Sequence, residues 1–220
     1  MSVRNVAERP GHNPEAADAK PDLARPDLAG REPARSKPER PTPPVTAAYL
    51  ERAALHYLER YSASTEMLRR TLRRRVEKRA RARGEAPEAF APMIETVVAR
   101  ALRSGLVDDA RFTAARLATL RRRGSSARGA SAKLAAKGVS REAIETAMEA
   151  EREAAPEGEA DAIEAQAARA YAKRRRLGPF RRPGTRAANR DRDLAALARA
   201  GFPYGLARAT IEAEAETDDA

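Results

Sequence analysis

"KLAAKGVSREAIETAMEAE", Lys133 to Glu151, joins the end of one helix to the start of another through a stop glycine, Gly138, and a capping serine, Ser140. Sixty-three residues later, Ala196 to Glu214 reads "ALARAGFPYGLARATIEAE". Leu134 falls opposite Leu197, Gly138 opposite Gly201, Val139 opposite Phe202 and Met148 opposite Ile211. One helical hairpin written twice at fixed offsets marks a repeat architecture, in which each unit is too small to be stable alone and leans on its neighbours.

Apolar periodicity supplies the rest of the unit around the first hairpin. Asp108 or Asp109 caps a helix carrying Phe112, Ala114, Leu117 and Leu120, which Gly124 ends after "RRR" in its last turn. Ser125 or Ser126 opens the second helix, with Ala127, Ala130 and Leu134 on its face. Ser140 opens the third, which buries Ile144 and Met148.

A similar unit precedes it. "VTAAYLERAALHYLERYS" sets Ala47, Leu50, Ala54, Tyr57, Leu58 and Tyr61 on one broad face. Ser64 caps the next helix, with Glu66 in its first turn and Leu68, Leu72 and Val76 as its stripe. Arg75 and Arg79 then rotate onto the side of those leucines, so this helix is expected to leave its packed surface near Val76. After the loop "RARGEAPEAFAPM", Phe90, Ile94, Val97, Val98, Ala101 and Leu102 restore the period until Gly105.

Downstream, an acidic joint leads to an alanine-rich helix over about 160–176. The loop "LGPFRRPGTRAAN" follows, then two helices carrying Leu194, Leu197, Leu206 and Ile211. The expected fold is all-α, a tandem array of three three-helix repeats over residues 45–105, 106–155 and 156–220.

Composition agrees. Alanine supplies much of the 42% hydrophobic content and only nine residues are aromatic, which favours thin helical layers over one thick core. Residues 1–44 hold nine of the fifteen prolines and almost no large apolar residues, so a disordered tail is expected there. No window is apolar enough for a membrane span and the first residues lack an apolar signal region, so a cytoplasmic protein is expected. With no cysteine, disulfides, thiolate metal sites and cysteine nucleophiles are excluded.

The formal charge of +11 is uneven. Residues 45–155 carry 23 Lys+Arg against 14 Asp+Glu, nearly the whole excess, which implies a polyanionic or acidic partner. The densest run, "LRRTLRRRVEKRARAR" from Leu68 to Arg83, has nine basic residues and one acid in sixteen. Like charges three and four apart repel, and the imbalance is too one-sided for pairing within the helix, so an external partner is expected to compensate them. Arg69, Arg70, Arg73, Arg74 and Lys78 are the candidate contacts in this run. Arg121, Arg122, Arg123, Arg128, Lys133 and Lys137 extend the set into the second unit, and Arg174 and Arg175 into the third. Stacking aromatics are missing beside these runs apart from Phe180, which disfavours a dedicated single-strand binder.

No catalytic constellation stands against this reading. His12 lies in the tail and His56 is alone on a helix, without a metal or triad partner at recognised spacing. There is no phosphate-cradling glycine loop, and helix capping accounts for Asp108 and Asp109. A non-enzymatic protein without a cofactor is expected. Two readings remain, a regulator bound to a larger assembly and a basic architectural DNA-binding protein.

"LVDDARFTAARLATLRRRGSSARGASAKLAAKGVSREAIETAMEAE", Leu106 to Glu151, resembles the central signature of the RecX regulatory proteins, an "L-x-D-D-x-R-F" helix start, a small-residue turn and a "K-G-hydrophobic-S/D-x-E-x-I" hairpin. "LERYSASTEMLRRTLRRRV" is similar to the family's first repeat and "RDLAALARAGFPYGLARATIEAE" to its third. The resemblance implies an elongated, curved array lodged in the groove of a RecA–DNA filament. It also implies modulation, mainly inhibition, of the recombinase's ATPase, strand-exchange and coprotease activities. The implied partners are the RecA filament and DNA, reached through the filament or bound weakly alone. The protein is expected to act as a monomer, with no membrane association.

The tail reading is testable. Deleting residues 1–40 should leave the thermal melt nearly unchanged, because the tail has no core-forming residues; a fall of several degrees would show that it packs on the repeats.

Overall fold

The computed structural model describes residues 42–156 and 160–214; the expected tail lies outside them except for Thr42, Pro43 and Pro44. All regular structure among the described residues is helical. The α-helices are α1 (Ala47–Leu58), α2 (Thr65–Arg81), α3 (Ala91–Arg103), α4 (Asp109–Arg122), α5 (Ala127–Ala136), α6 (Arg141–Glu153), α7 (Ala160–Arg175), α8 (Arg186–Arg199) and α9 (Tyr204–Glu212). Short 3-10 turns over Pro87–Phe90 and Gly178–Phe180 precede α3 and α8.

Side chains start the helices where the sequence offers a short oxygen. Thr46, Ser64, Asp108, Ser126 and Ser140 each accept the backbone N–H three residues on, at 2.9 to 3.2 Å. Asp108 and Ser126 are therefore the caps of α4 and α5, which frees Asp109 and Ser125 for other partners.

Three clusters of buried side chains fill the spaces between the helices. Leu50, Leu68, Leu72, Val76, Ile94 and Val98 belong to the first, joining α1, α2 and α3. Phe112, Leu117, Leu120, Leu134 and Ile144 form the second, with Met67 of α2 packed against it. Ala168, Leu194, Leu197, Phe202 and Ile211 belong to the third.

Several expectations are corrected. The helix α2 does not leave its packed surface at Val76, because Ala80 one turn later is fully buried. Arg79 stays beside that core by lying over the Tyr49 ring, 3.5 Å from its centroid, and donating to the Pro44 carbonyl. Its stem covers apolar surface while its charge stays at the edge. Arg83, just past the end of α2, donates to the Thr42 carbonyl at 2.8 Å, so Arg79 and Arg83 together hold residues 42–44. Ala47, Leu102, Ala114, Ala127 and Tyr61 are exposed; α1 ends at Leu58, before Tyr61, while Ala53 and Thr113 are buried instead.

The repeated hairpin sits at the contacts between units. Ser64, the cap of α2, is fully buried and donates its hydroxyl to the carbonyl of Lys137, the residue that ends α5, at 2.7 Å. The next amide, Thr65 N–H, donates to Asp109 Oδ1 at 2.7 Å, so the second acid of the pair serves α2. Ser126, the fully buried cap of α5, donates to the carbonyl of Ala200, which ends α8, at 2.6 Å. Ala127 N–H then donates to the Glu164 carboxylate of α7 at 3.1 Å. The same joint is thus made twice, each middle helix starting where the next middle helix stops.

The matched glycines belong to this joint. Gly138 and Gly201 adopt φ of +76° and +92°, where a side chain is strained. A Cβ on Gly138 would lie 2.3 Å from Glu66 Cγ, and one on Gly201 would lie 2.8 Å from Ser126 Oγ. Gly84 ends α2 with a similar φ of +69° but has open space around it.

Gly84→Ala should therefore cost about 1 kcal/mol from backbone strain alone, whereas Gly138→Ala should cost ~2–4 kcal/mol because Glu66 must also move. Urea unfolding of the two variants measures the difference. Equal losses would mean that the close approach at Gly138 carries no energy.

Candidate functional site

The helix α2 carries its arginines in consecutive turns, and tertiary structure sorts them. Arg69 points toward α3 and lies between two carboxylates, donating to Glu66 Oε2 at 2.6 Å and to Glu95 through Nε at 2.7 Å and Nη2 at 3.0 Å. Arg70 donates to Glu66 Oε1 at 2.9 Å and to the Ala136 carbonyl, at the end of α5, at 3.1 Å. Arg79 and Arg83 are committed to Tyr49, Glu85 and the 42–44 segment.

Arg73, Lys78 and Arg81 are exposed and make no hydrogen bond or ion pair among the described residues, and Arg74 reaches only the Thr71 hydroxyl, at 3.5 Å. The compensation demanded by the charge run is therefore partly internal.

Where α2 begins and α5 ends, the joint leaves an open concavity of about 420 Å³. Arg70, Arg73 and Arg74, three and four apart on one helix face, line it with Lys137 from the second unit. Tyr57, Met67, Thr71 and Ala136 complete its walls. The joint thus brings together four of the candidate cations from two units. Guanidinium forks with an ammonium beside an open, partly apolar floor suit phosphate or carboxylate groups on an extended partner.

The other candidates are placed differently. Arg121 is a correction, because its side chain is 9% exposed and bonded to Glu151, Glu164 and the Ser125 carbonyl. It holds together α4, α6 and α7, and a buried guanidinium committed to two carboxylates is not available to a partner. Lys133 is exposed and donates to the Ser125 hydroxyl at 2.8 Å. Arg122 and Arg123 are exposed at the end of α4, and Arg128 lies against Gly201 at the second joint. Arg174 and Arg175 flank the Tyr171 ring, with their guanidinium carbons 5.8 and 5.7 Å from its centroid. His56 sits exposed on α1, 3.9 Å from Glu59.

Runs of like charge in the sequence pointed to α2 but could not find Tyr57 and Thr71, which come to the groove by packing. Reversing the charge of the α2 arginines carries a structural cost at Arg69. Its side chain is only 26% exposed, and reversal would set a third carboxylate between Glu66 and Glu95.

The same pairing makes the first unit acid-sensitive. The bond from Arg69 holds Glu66 below the ordinary glutamate pKa and outweighs the opposing effect of burial; Glu95 is lowered for the same reason. The unfolded chain therefore takes up protons at a higher pH than the folded one. Stability from these pairs is complete above the unfolded glutamate pKa of about 4.3 and is lost as pH falls through the depressed folded values. Melting temperature should fall more steeply below about pH 4.3 in the parent protein than in Glu66→Gln, where only the Arg69–Glu95 pair still titrates. Parallel acid curves in melts from pH 7 to 3 would contradict this.

The family model for the second three-helix domain of RecX matches residues 108–148, from the Asp108 cap through the hairpin to Met148. The regulatory protein RecX of Myxococcus xanthus (strain DK1622) is 43% identical over 170 residues, covering 76% of this chain and 87% of that protein. No solved structure matches the chain. No helix among the described residues is long and apolar enough to cross a membrane. A match of that identity over most of both proteins, together with the capped and glycine-stopped hairpin of the second unit, places this chain in the RecX family of regulatory proteins.

Proposed function

We propose that this protein regulates the RecA recombinase by lying along its DNA filament, with the cationic groove between α2 and α5 on the acidic or phosphate-bearing surface. The observation that carries the reading is the convergence of Arg70, Arg73, Arg74 and Lys137 from two units on one open groove. A surface assembled across a joint presents a longer contact than one helix would, which fits a polymeric partner. Bound there, the protein reduces ATP hydrolysis, strand exchange and coprotease activity in DNA repair and the SOS response.

In this reading residues 45–105, 106–155 and 156–220 act as three repeats. The protein works as a cytoplasmic monomer without a cofactor or catalytic activity of its own. Arg69 and Arg121 position the repeats, while Arg70, Arg73, Arg74, Lys78, Arg122, Arg123, Arg128 and Lys137 face the partner.

The test spares the structural arginines. Arg73, Arg74 and Lys78 are exposed, so Arg73→Glu, Arg74→Glu and Lys78→Glu together should leave the melt intact. At about 1 kcal/mol per lost contact, the triple variant should need ~100-fold more protein to suppress ATP hydrolysis by preformed recombinase filaments on single-stranded DNA. A folded triple variant that inhibits like the parent would remove this groove from the interface. Equal affinity of the parent for naked and recombinase-coated DNA at physiological salt would instead favour an architectural DNA-binding protein acting without a recombinase.

A further inference from the structure

A second cationic cavity lies far along the sequence from the α2 groove. Arg175, Arg181, Arg192 and Arg199 line it, with Leu177, Asp193 and Ala196, and its volume is about 290 Å³. Its floor is a closed ion pair. Asp193 is fully buried and accepts Arg181 Nη2 on Oδ1 at 2.6 Å, with Arg181 Nε and Gly178 N–H on Oδ2 at 2.6 and 2.8 Å. Both carboxylate oxygens are thereby occupied from inside the chain. No other acid lines the cavity.

Arg181 takes both oxygens of Asp193, so the outer arginines make no direct ion pair with it. Arg175, Arg192 and Arg199 are exposed and form no hydrogen bond or ion pair among the described residues. Arg192, Ala196 and Arg199 follow at spacings of four and three, so they share one face of α8, and Ala196 leaves space between the two guanidinium groups. Arg175 reaches the same space from the end of α7.

The backbone adds an independent observation. Arg176, next to Arg175, has a φ of +54°, the one non-glycine residue among those described in the left-handed region. Each of Gly105, Gly124, Gly138 and Gly201 takes such a φ directly after the residue that caps a helix. An arginine there is strained, so α7 ends with a fourth consecutive basic residue where glycine would be less so.

We infer that Arg175, Arg192 and Arg199 form a phosphate-binding site for a nucleic-acid backbone in the third unit, separate from the α2 groove. Three unpaired guanidinium groups around a cavity of this size match the tetrahedral oxygens of a phosphodiester, and the occupied Asp193 keeps the floor from repelling it. Such a site acts without the recombinase, so binding to DNA alone reads it out.

The probe is a fluorescein-labelled oligo(dT) of 20 nucleotides, with binding to the full chain followed by anisotropy across a salt series. Arg192→Glu with Arg199→Glu should weaken binding at least tenfold at low salt. Arg192→Gln with Arg199→Gln, which introduces no new acid, should lower the slope of log K against log salt by about 1.4, since each phosphate contact on a single strand contributes ~0.7. Arg181 is left alone because it holds Asp193. Unchanged affinity and slope in the folded glutamine variant would overturn the site. Competition by polyglutamate as effective as by unlabelled oligo(dT), at equal charge, would also overturn it by showing a general anion patch.

Discussion

A buried serine hydroxyl donating to the last carbonyl of the next unit's middle helix is the contact on which the rest of the described structure depends. Helix ends leave unpaired N–H groups at the start and unpaired carbonyls at the finish, and burying them unpaired costs about 1–3 kcal/mol each. Ser64 and Ser126 meet both needs at once, because each oxygen accepts from its own helix while its hydrogen goes to the helix ahead. Asp109 and Glu164 then take the next free amides, at Thr65 and Ala127. The negative end of one helix meets the positive end of another, so the dipoles add to the joint instead of opposing it.

The joint also makes the candidate surface. Arg70 would be one exposed arginine among many if Ala136 were not brought within hydrogen-bond reach. Lys137 supplies its carbonyl to Ser64 and also lines the groove, so one basic residue serves both cohesion and the candidate surface. The arginines then divide their work. Arg69 and Arg121 each sit between two carboxylates and hold helices together, whereas Arg73 and Arg74 form no ion pair among the described residues and line the open groove. A charge-dense protein of this kind has to settle part of its repulsion internally before it can offer the remainder to a partner.

Local features of the sequence were legible because their causes are local. The caps at Ser64 and Ser140, the glycine stops and the leucine stripe of α2 depend on residues within a turn or two. What escaped reading was non-local. Nothing near Asp109 shows that it caps a helix beginning at Thr65, and nothing in "LRRTLRRR" separates Arg69 from Arg73 until α3 brings Glu95 alongside. Ala80 was missed because the arginines around it mask a small buried residue, and Arg79 escapes burial by lying over Tyr49. The match of Gly138 with Gly201 was visible, but its reason, a close approach by the preceding unit, needed three dimensions.

The most direct test of the joint is amide hydrogen exchange at Thr65 and Ala127 in the intact chain, resolved by nuclear magnetic resonance. Amides in the first turn of a helix have no intrahelical acceptor and ordinarily exchange fast. These two should instead be protected to the level of mid-helix amides in α2 and α5, because Asp109 and Glu164 hold them. Exchange at the rate of a free helix start, with the core amides still protected, would show that the units fold without this joint and would contradict the account.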